Sequence, residues 1–226
     1  MIKMVVFDMA GTVIDEDNVV YKTLCKAICN EGFDVSLNVV LQEGAGKEKL
    51  QAIKDILEKH TSNSDLNTAE RVYENFKINL ESAYTVFDIK PQHGAEVLFD
   101  ELRKKNILVV LDTGYDLKTA QTILNKVGWV EGKQIDAMVT ANHVTKNRPA
   151  PDMILYAKKK FNLTNADQVV KVGDSAIDIE EGKNANCVLN IGITTGAQTR
   201  EQIQQANPDF IVDSLDEISK LIFNQS

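Results

Sequence analysis

Short apolar runs alternate with helical patterns along most of this chain, and that alternation restricts the possible folds more than any other feature. Six such runs predict strands that are buried on both faces: 2–7, 107–111, 137–140, 169–173, 187–193 and 209–213. Helical periodicity occupies the stretches between them: 94–105, 116–127, 151–161, 178–185, 199–206 and 215–223. This order predicts an α/β fold with a Rossmann-like, doubly wound parallel sheet as its core.

One long segment interrupts the alternation. Residues 16–84 contain no convincing strand, and KLQAIKDILEKH carries an apolar helical stripe formed by Leu50, Ile53, Ile56 and Leu57. The polar stretch 60–67 predicts a turn between helices. We therefore expect an α/β core formed by 1–15 and 85–226, with an all-helical cap domain, 16–84, inserted after the first strand. Such a cap would lie over the crevice where open α/β sheets bind their ligands.

Charge and cysteine content restrict the partners and the compartment. The chain has 33 acidic and 25 basic residues among 226, a net charge of −8, which argues against a nucleic-acid or membrane-surface partner. No apolar run is long enough to span a bilayer, and MIKMVVFD enters a strand pattern directly, which predicts no signal peptide. Cys25, Cys29 and Cys187 have no disulfide-framework spacing, which predicts reduced thiols in a cytoplasmic protein.

Polar residues follow four of the predicted strands. Asp8 ends the first, Thr113 ends the second, Arg148 lies shortly after the third, and Asp174 and Asp178 lie after the fourth. Each residue alone is typical of a turn or a helix cap. The carboxyl ends of parallel strands meet at one edge of a sheet, however, so the coincidence of four predicts one site.

The residue types indicate phosphoryl chemistry at this site. The carboxylates of Asp8, Asp174 and Asp178 would repel one another unless a cation lay between them, and oxygen ligands suit Mg²⁺. Arg148 and the Thr113 hydroxyl could neutralise and orient a phosphoryl or phosphonyl group. Asp8 could then attack phosphorus as a nucleophile.

The stretches DMAGT, LDTGY, RPAP and VGDSAIDIEEG, in this order, resemble the four motifs of the haloacid dehalogenase superfamily. The resemblance covers essentially the whole chain, including the helical cap. It implies that Asp8 forms a covalent aspartyl-phosphate, with Thr113 and Arg148 as further catalytic residues. It implies Mg²⁺ as the cofactor, with these ligands: Asp8, the Ala10 carbonyl, Asp174 and Asp178. The expected substrate contacts are Thr12, Gly44, Lys47, Thr113, Gly114, Tyr115 and Arg148.

Ala10 separates two branches of that superfamily. Its phosphatases usually carry a second aspartate there, which protonates the leaving alkoxide. The branch similar to phosphonoacetaldehyde hydrolase (phosphonatase) has alanine, and it cleaves a carbon–phosphorus bond through an imine between a cap lysine and the substrate aldehyde. Lys47 has the corresponding spacing, three residues after Gly44 and just ahead of a cap helix, and Lys49 nearby would lower its pKa. The branch pattern has a histidine where this chain has Leu50, so Lys47 is either an imine-forming or an anion-binding residue.

Three functions follow as hypotheses. The first is a Mg²⁺-dependent hydrolase that releases phosphate from a small organic phosphonate or phosphate. The second is a phosphomonoester phosphatase, similar to phosphoglycolate phosphatase, that lacks the second aspartate. The third is a non-catalytic sensor, which the presence of all the motif residues disfavours. The expected partner is a small phosphorylated or phosphonate metabolite, and the expected state is a monomer or a homodimer in the cytoplasm.

Overall fold

The computed structural model describes residues 1–164 and 168–223. In chain order, the strands are β1 (Met4–Asp8), β2 (Ile14–Asp15), β3 (Lys90–Pro91), β4 (Leu108–Thr113), β5 (Ala137–Thr140), β6 (Val169–Gly173), β7 (Leu189–Ile193) and β8 (Phe210–Val212). Six of them form one parallel sheet in the order β5-β4-β1-β6-β7-β8. The predicted α/β class and all six predicted strands are therefore confirmed, and β1 lies inside the sheet between β4 and β6.

Four consecutive helices follow the first strands: α1 (Val19–Asn30), α2 (Leu37–Gly44), α3 (Lys49–Thr61) and α4 (Leu66–Val86). The stripe expected on α3 exists, with Ile53, Ile56 and Leu57 buried. The division of the chain at residues 16 and 84 stays a prediction, and α4 continues to Val86, two residues past that limit. The antiparallel pair β2–β3 joins the chain before and after these helices, and its two-residue strands are too short for a sequence pattern to reveal.

The remaining helices cover the sheet: α5 (Ala95–Lys104), α6 (Leu117–Val127), α7 (Asp152–Lys160), α8 (Ala176–Asn184), α9 (Arg200–Gln204) and α10 (Ile218–Phe223). Alternate residues of β1 point to opposite layers, because side chains along a strand alternate between the two faces. Val5 and Phe7 join the larger apolar core, whereas Met4 and Val6 join the smaller one. This two-sided burial explains the uninterrupted apolar runs of the sequence.

Helix α8 begins earlier than the sequence pattern predicts. The predicted helix starts at residue 178, but extended backbone at Ser175 ends the preceding loop and the helix starts at Ala176. Asp178 therefore lies in the first turn of α8, where the positive end of the helix dipole faces the carboxyl edge of the sheet.

Two further sequence expectations concern thiols and membranes. Cys25, Cys29 and Cys187 are free thiols, as predicted. The thiols of Cys25 and Cys29 both donate to the Val35 carbonyl, over 3.4 and 3.6 Å. Across residues 1–164 and 168–223, no helix combines the length and the apolar character that a bilayer span requires.

Candidate active site

A group of buried ionisable side chains lies at the carboxyl end of the parallel sheet. It comprises Asp8, Asp112, Arg148, Lys171, Asp174, Asp178 and Glu181. The parallel register places Asp8 beside Asp112, and the neighbouring strand β6 leads into the loop that carries Asp174. The convergence expected of the motif residues is therefore present in the fold.

Arg148 forms the centre of this group. Its Nη1 donates to Asp8 Oδ1 over 2.6 Å, and its Nε donates to Glu181 Oε2 over 2.9 Å. The Nη2 group donates to Asp112, and Nη1 lies 3.1 Å from Asp178 Oδ1. The planar guanidinium has several N–H donors and therefore binds several carboxylates at once. One of these bonds fixes the nucleophile candidate Asp8 through a single carboxylate oxygen.

Lys171 is a second buried cation that the sequence interpretation did not include. Its Nζ lies 2.5 Å from Asp112 Oδ1, 3.1 Å from Glu181 Oε2 and 3.2 Å from Asp178 Oδ1. The signal was a single lysine within VVKVG, a strand buried on both faces. A lysine is buried in such a strand only when carboxylates pair with its charge. Two carboxylates that could do so, Asp112 and Glu181, lie in the motifs LDTGY and VGDSAIDIEEG.

Negative charge exceeds positive charge in this group, with five carboxylates against two cations. Burial raises the pKa of Asp8 to about 6, although Arg148 opposes the shift. Burial, followed by the charges of Asp8 and Asp178, raises the pKa of Asp174 well above its ordinary value. Burial and Asp112 raise the pKa of Glu181 to about 8. The protein's own cations therefore do not neutralise the site.

The donor set fits a hard divalent cation. Carboxylate oxygens of Asp8, Asp112 and Asp178 lie within 4.8 Å of one another. Oxygen donors with excess negative charge suit Mg²⁺, and an added cation would lower the pKa values that burial raises. Asp112 was not among the predicted ligands, and its Oδ1 already accepts from Lys171. Asp174 was predicted, and its Oδ2 accepts from the Ala197 N–H over 2.5 Å. The ligand roles of Ala10, Asp174 and Asp178 stay predictions.

Several predicted substrate contacts lie at this edge. Thr113 is buried at the end of β4, and its Oγ1 accepts from the Tyr115 N–H over 3.1 Å. Thr12 is fully buried, and its Oγ1 has no hydrogen-bond partner among the described residues. At Gly114 an added Cβ would lie 2.7 Å from the Lys47 carbonyl oxygen, so only glycine allows this close approach of the cap loop.

Two predicted contacts are differently placed. At Gly44 an added Cβ would lie 3.7 to 3.9 Å from Leu24, Ala52 and Ile56, so this glycine packs inside the helical segment. The Tyr115 hydroxyl lies 3.3 Å from Glu16 Oε1 and 3.0 Å from the Tyr84 hydroxyl. The aromatic ring of Tyr115, not its hydroxyl, therefore faces Lys49 of the cap.

The cap brings two lysines near the site, and they differ sharply. The Lys47 amine lies 2.5 Å from Asp55 Oδ2 and is partly exposed. Lys49 is buried, donates to the Lys47 carbonyl over 2.8 Å, and lies 5.3 Å from the ring centroids of both Tyr21 and Tyr115. Burial lowers the pKa of Lys49, although the Asp8 carboxylate raises it. The buried amine that interacts with the nucleophile candidate is thus Lys49.

The glycine-lysine spacing could have revealed this second lysine. Lys49 lies three residues after Gly46, just as Lys47 lies three residues after Gly44, so the spacing occurs twice in GAGKEK. Gly46 has a φ of +69°, and an added Cβ would lie 2.6 Å from Ser175 Oγ. Gly46 therefore allows the cap loop to pack closely against the core, whereas Gly44 packs inside the cap.

Comparison with known proteins agrees with this geometry. A family model described as haloacid dehalogenase-like hydrolase matches residues 2–186. The chain is 28% identical to a phosphonoacetaldehyde hydrolase of Lactiplantibacillus plantarum, over 98% of this chain and 95% of the relative. It is 27% identical to a phosphonoacetaldehyde hydrolase of Parabacteroides distasonis, over 96% and 94%.

Solved structures share the fold. A phosphonoacetaldehyde hydrolase-like protein from Oleispira antarctica has a TM-score of 0.86 at 21% identity, covering 99% of this chain and 92% of the other. A predicted phosphoglycolate phosphatase from Haemophilus somnus has a TM-score of 0.79 at 20% identity, covering 98% of each chain. With the family model, the buried motif residues and the full-length relatives all in agreement, this chain belongs to the haloacid dehalogenase-like hydrolases.

Proposed function

We propose that this hydrolase releases phosphate from a small organic phosphonate that carries an aldehyde or ketone group. The observation that carries the proposal is that two features occur together. Ala10 stands where phosphatases of this family have an acid, and the amine of Lys49 is buried near the site. The names of the full-length relatives, which are phosphonoacetaldehyde hydrolases, support the same substrate class.

In this proposal Asp8 is the nucleophile. Arg148 binds Asp8 Oδ1 and fixes the carboxylate, which leaves Oδ2 to attack phosphorus. Thr113 and Arg148 orient the phosphonyl oxygens. A Mg²⁺ ion held by Asp8, the Ala10 carbonyl, Asp174 and Asp178 would act as a Lewis acid that neutralises charge on the phosphonyl group. Water then hydrolyses the aspartyl-phosphate and returns Asp8 to its free carboxylate.

The amine of Lys49 allows the carbon that is bonded to phosphorus to act as a leaving group. Neutral Lys49 adds to the substrate carbonyl, and the resulting carbinolamine takes up one proton and loses water to give a protonated imine. When Asp8 attacks phosphorus, the carbon–phosphorus bond breaks and its electron pair enters the imine to form an enamine, so no acid is needed at position 10. The enamine then takes up a proton at carbon, and water hydrolyses the resulting imine to release the carbonyl product and free Lys49. Burial lowers the pKa of Lys49, which increases the neutral, nucleophilic fraction of its amine. We assign this role to Lys49 in preference to Lys47, whose amine is bound by Asp55.

Borohydride trapping tests the assignment. Phosphonoacetaldehyde and borohydride should leave a stable adduct on the peptide that contains Lys49, detected by mass spectrometry. Lys49→Arg should abolish the adduct and the release of phosphate, because arginine keeps the charge but cannot form an imine. Lys47→Arg is the matched control and should retain both. An adduct on Lys47 would restore the first assignment made from the sequence.

Metal removal tests the cofactor. EDTA should abolish phosphate release and added Mg²⁺ should restore it. Asp174→Ala should raise the Mg²⁺ concentration needed for half-maximal activity, because it removes a charged ligand. Full activity in chelator would contradict the metal assignment.

The alternative function is a phosphomonoester phosphatase similar to phosphoglycolate phosphatase. A panel of phosphate esters and phosphonates separates the two proposals through the rate of phosphate release. Faster turnover of phosphoglycolate than of any carbonyl phosphonate, with no adduct on either lysine, would favour the phosphatase.

A further inference from the structure

Glu16 is a buried carboxylate at the crossing from the core to the cap, between β2 and α1. Only 3% of this residue is exposed. The Tyr84 hydroxyl donates to its Oε2 over 2.5 Å, and the Tyr115 hydroxyl donates to its Oε1 over 3.3 Å. Tyr84 belongs to α4, whereas Tyr115 follows β4. The carboxylate therefore joins three separate parts of the molecule, and no step of the proposed reaction uses it.

Lys49 lies against the same tyrosine. Its amine is 5.3 Å from the Tyr115 ring centroid and 5.3 Å from the Tyr21 ring centroid. Aromatic faces attract a cation, but this attraction only partly offsets the burial of its charge. Among the residues that the structure describes, no carboxylate forms an ion pair with Lys49. Its charge therefore depends on carboxylates farther away.

We propose that Glu16 is a positioning residue for Lys49: held by Tyr84 and linked through Tyr115, its carboxylate keeps the cap amine between the two rings and favours its charged form. The proposal rests on the proposed function in taking Lys49 as the reacting amine. It adds a second residue, from outside the family motifs quoted above, that controls that amine.

Charge interactions support this arrangement. Besides burial, the groups whose charges act on the Lys49 amine are, from the largest effect to the smallest, Asp8, Glu48, Arg148 and Glu16. Burial raises the pKa of Glu16 to about 7, while the hydrogen bond from Tyr84 lowers it. Glu16 therefore changes its charge near neutral pH. When ionised, it raises the pKa of Lys49 and so favours the protonated amine.

Reductive methylation measures the consequence without any turnover. Formaldehyde and cyanoborohydride modify only neutral amines, and mass spectrometry of the Lys49 peptide gives the extent of reaction at each pH. Glu16→Gln removes the negative charge, so the pH midpoint of Lys49 methylation should fall by about one unit. Glu70→Gln, which changes an exposed carboxylate on α4, is the matched control and should leave the midpoint unchanged.

Tyr84→Phe provides an independent variant. It removes the hydrogen bond that lowers the pKa of Glu16, so Glu16 stays neutral to a higher pH. Methylation in Tyr84→Phe should match Glu16→Gln near neutral pH and approach the wild type at about two pH units higher. Thermal melts establish that each variant folds, and Tyr84→Phe decides the question if Glu16→Gln does not.

Equal midpoints in the wild type and both folded variants would overturn the proposal and leave Glu16 as a structural clamp. An equal shift in Glu70→Gln would overturn it as well. Because methylation needs no phosphonate, its failure is distinct from failure of the proposed function, which the absence of a borohydride adduct with phosphonoacetaldehyde would reveal.

Discussion

Two buried lysines, one in the core and one in the cap, have opposite pKa shifts. Burial lowers the pKa of both, and Arg148 does the same. At Lys171 the carboxylates of Asp112, Glu181 and Asp178 outweigh burial, so its pKa rises. At Lys49 burial prevails and the pKa falls. The same side chain at similar burial is thus a fixed cation in one region and a titratable amine in the other.

The difference lies in direct contact. Lys171 has carboxylate oxygens at 2.5, 3.1 and 3.2 Å, whereas Lys49 donates to a backbone carbonyl and lies between two aromatic rings. An ion pair in contact stabilises the charged form far more than a ring or a distant carboxylate does. The core end of the site is therefore preorganised electrostatically, and the cap supplies the group whose protonation can change.

The largest expected effect is at the fixed core end. Asp8→Asn should lower phosphate release by about a thousandfold or more, about 4 kcal/mol in the barrier, because an amide oxygen is a poor nucleophile. The Asn side chain retains an oxygen that can accept from Arg148, so the thermal melt should change little. A variant within about tenfold of the wild type would contradict covalent catalysis by Asp8.

The two lysines should differ in their effect on stability. Lys171→Met leaves buried carboxylates without a cation and should lower the free energy of unfolding by about 3–5 kcal/mol, measured by urea denaturation. Adding Glu181→Gln to that variant removes one uncompensated carboxylate and should recover part of the loss. A loss below about 1 kcal/mol would contradict the view of Lys171 as a structural cation.

Lys49→Met sharpens the contrast. It removes a buried charge that lacks a carboxylate in contact, so the free energy of unfolding should change by no more than about 1 kcal/mol. Turnover of a carbonyl phosphonate should nevertheless disappear. Lys47→Met, which removes a partly exposed ion pair worth about 1 kcal/mol or less, is the matched control and should keep turnover. A loss of stability as large as that of Lys171→Met would make Lys49 a structural cation too.

The sequence predicts the core end better than the cap end for a physical reason. Strand ends in a parallel sheet have a fixed geometry, so a motif residue such as Asp8 or Thr113 can be placed from its strand alone. The network partner Lys171 was missed because it lies inside an apolar run instead of after it. The cap loop has no such fixed geometry. GAGKEK contains the glycine-lysine spacing twice, and only the packing of the folded chain distinguishes Lys47, which faces Asp55, from Lys49.

A pH-dependent stability difference tests the charge of Glu16. Burial raises its pKa from 4.5 unfolded to about 7 folded, so the folded state binds the proton more tightly. This contribution to stability is complete below the unfolded pKa and is lost as pH rises through the folded value. Glu16→Gln lacks it, so the variant should gain up to about 3 kcal/mol relative to the wild type across that window. Urea denaturation at several pH values measures this difference, and a constant difference would contradict a buried, titrating Glu16.

The smallest expected effect is at Ala10, and it tests the link between the two regions. Ala10→Asp supplies the acid that phosphatases of this family use, so release of phosphate from simple esters should rise by about tenfold. The added carboxylate should also raise the pKa of Lys49 and hold the amine protonated, which would lower turnover of carbonyl phosphonates. Ala10→Asn has the same size without the charge and is the matched control. If Asp and Asn at position 10 lower phosphonate turnover equally, then steric crowding governs that turnover, and the cap amine does not owe its reactivity to the missing carboxylate.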